Sequence, residues 1–177
     1  ELDDKLKTKL RHVRLLILDV DGVMTDGKII MDDDGREVKH FNVRDGHGLK
    51  ILMRCGIDVV LLTGRRSRVV EHRAKDLGIS EVHQAIWNKA EAFEQIRSAH
   101  GLGTHNAAFM GDDIVDIPLL RKVGFSACPA DACNEVRSAV DYIAVNNGGQ
   151  GAVREICEII LQSQGKWADV AARYEFA

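Results

Sequence analysis

Apolar positions along this chain fall into two alternating patterns. Short continuous runs of strand length, rich in Val, Ile, Leu and Phe, cover Val13–Leu18, Ile57–Leu62, Val82–Ile86, Asn106–Met110, Gly124–Ala127 and Asp141–Val145. Between them lie stretches with apolar residues at helical spacing. One presents Leu49, Leu52 and Met53 and ends at Gly56, with Asp45 placed to cap its start. A charged one runs from Arg66 to Leu77 and stops at Gly78. Asn88–Ala99 places Phe93 and Ile96 on one face, and Asn88 with Glu91 three residues on makes a capping-box-like start. Asp116 is placed to cap a short helix whose first turn tolerates Pro118. Another helix starts at Asp131, and a last one, Ala152–Leu161, presents Val153, Ile156, Ile159 and Ile160. Two extended runs, Lys28–Met31 and Glu37–Val43, flank Asp32-Asp33-Asp34-Gly35, an Asp-Gly turn that predicts a hairpin. Glu1–His12 is polar and reads as a helical or frayed lead-in. Order signals weaken beyond Gln164.

Strands alternating with helices define an α/β chain with a parallel sheet and right-handed crossovers. Neither a repeat nor a linker divides it, so residues 1–177 read as a single domain, long enough for one proper core. A hydrophobic content of 45% with only 2 prolines excludes low-complexity disorder. The net charge of −3 leaves no footprint for nucleic acid or an anionic membrane. No apolar run approaches the ~18 residues of a membrane span. The charged stretch from Glu1 to Arg14 lacks a signal core. Cys55, Cys128, Cys133 and Cys157 have no metal-ligand spacing and read as reduced thiols. A cytoplasmic location is expected.

The chemistry starts at Leu18-Asp19-Val20-Asp21-Gly22. Two carboxylates spaced i, i+2 sit at the carboxyl end of the first strand and point the same way. In open α/β sheets ligands bind at that end. Like charges ~4 Å apart repel by about 4 kcal/mol at an effective dielectric of 20. A hard divalent cation with oxygen ligands would offset this; alternatively the pair merely caps a turn. Other strand ends add polar groups. Thr63-Gly64-Arg65 follows the second strand, Gly111-Asp112-Asp113 follows the fourth, and Lys89 opens a helix, where its charge opposes the helix dipole. Each signal is weak alone. The ordered set is strong.

In this order and strand context the set resembles all four motifs of the haloacid dehalogenase (HAD) superfamily of phosphohydrolases. The resemblance implies a three-layer Rossmann-like core with strand order 5-4-1-2-3. It implies Asp19 as nucleophile forming an aspartyl-phosphate, Asp21 as general acid and then base, Thr63 and the Gly64 N–H on phosphoryl oxygens, and Lys89 neutralising charge. Asp112 would complete a Mg²⁺ site with the Asp19 carboxylate and the Asp21 main-chain carbonyl. Asp113 and Asp116 would serve an outer metal shell or merely cap the next helix. Only about 20 residues separate Gly22 from Asn42, so a hairpin (about 26–43) stands where many relatives carry a cap domain. The site is therefore expected to be open unless another subunit covers it.

Longer segments resemble one capless subfamily, the 3-deoxy-D-manno-octulosonate 8-phosphate (KDO 8-phosphate) phosphatases: LDVDGVMTDG (18–27), FNVRDGHGLK (41–50), LLTGR (61–65), FMGDDIVDIP (109–118) and NNGGQGAVREICEIILQSQGK (146–166). This implies Mg²⁺-dependent hydrolysis of a sugar phosphate in lipopolysaccharide precursor synthesis. It also implies a homotetramer whose hairpins and tails (about 163–177) help enclose neighbouring sites. Asn42, Val43, Arg44, Asp45, Gly46, Arg65, Arg73 and Lys89 are then expected at the substrate, with Lys50 where relatives often carry Arg. Val115 replaces a residue often polar in relatives. Gly148, Gly149 and Gly151 read either as an anion-binding loop or as a tight turn without ligand. Arg154 is placed to pair with a partner chain or a substrate carboxylate. The rival readings are a nine-carbon keto-acid 9-phosphate phosphatase and a non-catalytic HAD-like or receiver-like domain. Receiver domains lack an acid two residues after the nucleophile, and the complete catalytic set argues against a degenerate HAD-like module.

Overall fold

The computed structural model describes residues 2–176. Helix α1 (Asp4–Arg11), capped by Asp3, leads into β1 (Leu15–Leu18). The hairpin strands β2 (Ile30–Met31) and β3 (Glu37–Val38) come next. Then follow α2 (Val43–Arg54), β4 (Asp58–Leu62), α3 (Arg68–Leu77), β5 (Glu81–His83), α4 (Lys89–Ala99), β6 (Ala107–Met110), α5 (Ile117–Leu120), β7 (Phe125–Cys128), α6 (Asn134–Arg137), β8 (Tyr142–Ile143), α7 (Ala152–Ser163) and α8 (Trp167–Arg173).

Six strands form one parallel sheet in the order β5-β4-β1-β6-β7-β8. Counted without the hairpin, this is the expected 5-4-1-2-3 order with one strand added beside β7. Every residue of β1 is buried. Its side chains alternate between two cores: Leu16 and Leu18 face the layer holding α1, α2, α7 and α8, while Leu15 and Ile17 face α4 and α5. A strand covered on both faces must be apolar throughout, which explains the unbroken runs. The chain leaves β1 toward β4 on one side and returns as β6 on the other. The crevice beside β1 is therefore a topological switch point, where such sheets bind ligands.

Several expected boundaries differ. Helix α2 is capped by Asn42, whose Oδ1 accepts from Arg44 N at 2.8 Å and Asp45 N at 3.1 Å. Asp45 caps a different helix: its carboxylate accepts from Arg154 N at 2.9 Å and Gly151 N at 3.4 Å, at the start of α7. Helix α6 starts at Asn134, after Asp131 has turned its carboxylate to Gly148 N at 2.9 Å. The hairpin strands are two residues each, pinned by Asp32 Oδ1 accepting from Asp34 N and Arg36 N. The segment past Gln164 forms α8, which buries Val170 and Ala171, and Tyr174 beyond it meets His47 and Arg54. A helix of seven residues is marginal alone, and packing beside α2 and α7 supplies the order. The four cysteines are free, and burial pushes the Cys128 thiol up to about 12. Among the described residues, no helix is long and apolar enough to cross a membrane.

Candidate active site

Asp19 follows β1 directly, and its N–H continues the β1–β6 ladder to Met110 O at 3.0 Å. Asp112 follows β6 one residue later, Thr63 follows β4, and Lys89 is the first residue of α4. These four line one cleft of about 300 Å³ together with Asp21, Gly64, Arg65 and Asp113. Three strand ends and one helix start thus meet, as the sequence pattern predicts.

The centre is a buried ion cluster. Lys89 Nζ lies 3.0 Å from Asp19 Oδ2 and 2.6 Å from Asp116 Oδ1. Asp116 is fully buried, and its other oxygen accepts from Asp112 N at 2.9 Å and Asp113 N at 3.3 Å. It does not cap α5 with its side chain. Two glycines make room for the acids. A Cβ on Gly111 would lie 2.6 Å from Asp116, and one on Gly22 only 1.9 Å from Asp112 Oδ2.

Carboxylate oxygens of Asp19, Asp112 and Asp116 all lie within 4.8 Å of one another. One ammonium cannot balance three such groups away from water. Burial lifts the Asp19 carboxyl to about 6; Lys89 pulls it down and Asp116 pushes it up. Burial, with Asp19, Asp116 and Asp113 alongside, lifts Asp112 to about 8. Burial alone would lower the Lys89 ammonium, but Asp19 and Asp116 outweigh it and hold its pKa above the ordinary value. A cluster of hard oxygen donors short of positive charge fits a divalent cation such as Mg²⁺. Asp113 is exposed and caps the turn after β6, accepting from Ile114 N at 2.7 Å.

The phosphate-side residues therefore converge, but most of the expected sugar-side residues do not. Asn42, Val43 and Arg44 line a separate cleft of about 330 Å³ with Arg154. The Asp45 carboxylate is occupied with the α7 start. Gly46 backs onto Arg73: a Cβ there would lie 2.4 Å from its Nη2. Lys50 is exposed on the far side of α2, beside Gly78. Arg73 lies 5.4 Å over the Phe41 ring and donates to Asn42 O at 3.3 Å and Asp76 at 2.8 Å. It braces the 41–42 corner from behind. The N–H groups of Gly148, Gly149 and Gly151 go to Asp131, Val23 O and Asp45, so this loop is a packed turn with those donors in use. Arg154 pairs with Glu158 of its own helix.

Two neighbours of the site escaped sequence reading. Lys39, from the hairpin, places Nζ 2.5 Å from Asp21 Oδ1. Its signal was the Glu37-Val38-Lys39 alternation, which puts both charges on one face of β3 and its extension. Trp87 lines the cleft mouth, 84% exposed. Its loop is carried over by Ala85 at φ +57, with Ile86 N donating to Thr63 O at 3.1 Å.

A Rossmann-like sheet with an Asp pair, a Thr, a Lys and a further acidic group at its switch point defines a haloacid dehalogenase-like hydrolase. That family's pattern matches residues 76–156. The chain is 44% identical over 159 residues to the 3-deoxy-D-manno-octulosonate 8-phosphate phosphatase of Salmonella typhi, covering 90% of this chain and 85% of the relative. The Yersinia pestis phosphatase of that name has a crystal structure matching with a TM-score of 0.93 and 40% identity, over 94% of this chain and 90% of that one. The Moraxella catarrhalis phosphatase, crystallised with magnesium, phosphate and KDO, matches with a TM-score of 0.95 and 38% identity, over 98% and 99% of the two chains. The chain belongs to the KDO 8-phosphate phosphatase family.

Proposed function

We propose that this chain hydrolyses KDO 8-phosphate to KDO and inorganic phosphate, using Mg²⁺ and an aspartyl-phosphate on Asp19. The observation that carries the reading is the pairing of Asp19 with the buried Lys89 beside Asp112, while Asp21 stands two residues on at the cleft mouth. Asp19 is fixed at both oxygens, Oδ1 by Val20 N at 2.7 Å and Oδ2 by Lys89, so its attacking geometry is set before substrate arrives.

A carboxylate oxygen of Asp19 bonds to phosphorus as the bond from phosphorus to the sugar oxygen breaks, and Asp21 gives that oxygen a proton. Asp21 then takes a proton from water as the water oxygen bonds to phosphorus and the Asp19–phosphorus bond breaks. Both carboxyl groups are restored. The Thr63 hydroxyl and the Gly64 N–H hold phosphoryl oxygens, and Lys89 offsets their charge. Asp19, Asp112 and the Asp21 main-chain carbonyl would hold Mg²⁺, with Asp116 behind them; the ion supplies charge compensation to the carboxylates and the phosphoryl oxygens. Arg65, at the mouth, is placed for the sugar acid's carboxylate, which guanidinium groups bind bidentately.

The exposed corner at Asn42, Val43 and Arg44 serves a neighbouring chain's cleft in a homotetramer. Asp45, Gly46 and Arg73 support that corner, and Lys50 carries charge along the same helix. The setting is the cytoplasm, and the partner a small sugar phosphate rather than nucleic acid or membrane. Rapid-quench mass spectrometry tests the mechanism. A phosphoryl group should appear on the peptide carrying Asp19 during turnover. Its absence there, with turnover intact, would refute the covalent route.

A further inference from the structure

One buried group at the general acid has no part in the steps of the proposed hydrolysis, the hairpin lysine. The Lys39 side chain is 2% exposed, and Nζ meets Asp21 Oδ1 at 2.5 Å and Glu37 Oε1 at 3.1 Å. Arg65 Nη2 reaches the same Glu37 oxygen at 2.9 Å, and Arg65 Nε lies 3.8 Å from Asp21 Oδ2. Glu37 thus ties both cations together beside Asp21.

A buried lysine costs free energy unless it is paired, and fixing its long stem costs up to about 2 kcal/mol of rotamer entropy. An exposed lysine just past a two-residue strand would bear neither cost. The contrast with Asp19 is informative. Asp19 is held by a backbone N–H as well as by Lys89. Among the described residues, the hydrogen bond from Lys39 is the one the Asp21 side chain accepts. Asp21 is also 24% exposed, against 11% for Asp19, so packing fixes its rotamer less.

We propose that Lys39 is a positioning residue: delivered by the hairpin of the same chain, it fixes the Asp21 carboxyl group where proton transfer to the leaving oxygen takes place. This role rests on Asp21 being the acid of a phosphoryl transfer. It gives the hairpin a function within one subunit, whatever the hairpin does between subunits.

The test separates proton delivery from phosphoryl binding. Leaving groups that depart as stable anions need little protonation, whereas a sugar alkoxide needs a placed acid. Wild type, Lys39→Met and Lys39→Arg are compared across phosphate esters from nitrophenyl and phenyl to primary alkyl and sugar esters, with thermal denaturation recorded for each protein. For Lys39→Met, kcat on sugar and alkyl esters should fall about 10- to 100-fold, part of the ~10²–10⁴ that acid–base catalysis supplies. The loss should shrink steadily toward the nitrophenyl ester, KM should move little, and Lys39→Arg should recover most of the rate. An equal loss on every ester, or no loss, would overturn the proposal. The substrate reading stands apart: a wild-type enzyme preferring some other sugar phosphate would refute it, while Lys39 is still decided by the mutant ratio on that ester.

Discussion

The Asp116 carboxylate, with no solvent exposure, holds the Lys89 ammonium at 2.6 Å and so carries the nucleophile's cation from behind. Lys89 in turn reaches Asp19 at 3.0 Å. Removing one member of a buried ion pair leaves an uncompensated group and typically costs 3–5 kcal/mol. Asp116→Ala also strips acceptors from the Asp112 and Asp113 N–H groups. We predict a loss of about 3 kcal/mol in urea unfolding, because Lys89 keeps Asp19, together with at least a ~10-fold fall in kcat. Unchanged stability would contradict the cluster.

Stability and Mg²⁺ binding are predicted to depend on pH in opposite senses. Asp112 rises to about 8 in the fold, and Asp19 to about 6. Between the ordinary carboxyl pKa and those values the folded chain holds more protons than the unfolded one, so stability without metal falls as pH rises through this window. Cation binding requires the ionised carboxylates and strengthens over the same range. The thermal shift on adding Mg²⁺ should therefore be larger at pH 8.5 than at pH 6. Asp112→Asn should raise the metal-free melting temperature at pH 8 and remove most of the Mg²⁺ shift. A shift independent of pH, or a less stable Asp112→Asn, would count against this electrostatic picture.

The first motif's strand was legible because β1 is buried on both faces, leaving an unbroken apolar run that ends in charge. Thr63, Lys89 and Asp112 were legible because their strand ends and helix start are local signals. The partners of Asp116 and Asp45 were not. Each aspartate occupies a helix-start position, where a carboxylate ordinarily caps its own turn, yet each spends its oxygens across the fold: Asp116 on Lys89, Asp45 on Arg154 N. Long-range partners leave no spacing signature. Helix α8 escaped for a similar reason, since its order comes from packing beside Arg54 and Cys55.

Asp45 gives a prediction of its own. Gly151, the N-cap of α7, has φ +112 and no side chain to cap with, so Asp45 supplies the acceptor from α2. Losing a helix cap costs about 1 kcal/mol, up to ~2. Asp45→Ala should cost about 2 kcal/mol in denaturant unfolding because the freed N–H groups are partly buried, and Asp45→Asn should cost less. Equal losses would show that α7 does not depend on this acceptor.

Far from the cleft, His100 bridges Asp58 at 3.0 Å and Glu81 at 2.7 Å. The hydrogen bond to Glu81 leads in raising its pKa above the ordinary histidine value; burial opposes the shift and Asp58 adds to it. A raised histidine pKa contributes stability that is fully present below the unfolded value and lost as pH rises through the folded one. His100→Gln should therefore lower the melting temperature at pH 5.5 and change it little at pH 9. A larger effect at pH 9 would reverse the assignment.

The central claim is tested most directly by initial-rate phosphate release from a panel of KDO 8-phosphate, nine-carbon keto-acid 9-phosphates and common hexose phosphates, with Mg²⁺ and with chelator, for wild type and Asp19→Asn. KDO 8-phosphate should give the highest kcat/KM, chelator should nearly abolish the rate, and Asp19→Asn should be inactive on every member. Comparable rates across the panel would contradict the substrate assignment, and an active Asp19→Asn would contradict the nucleophile.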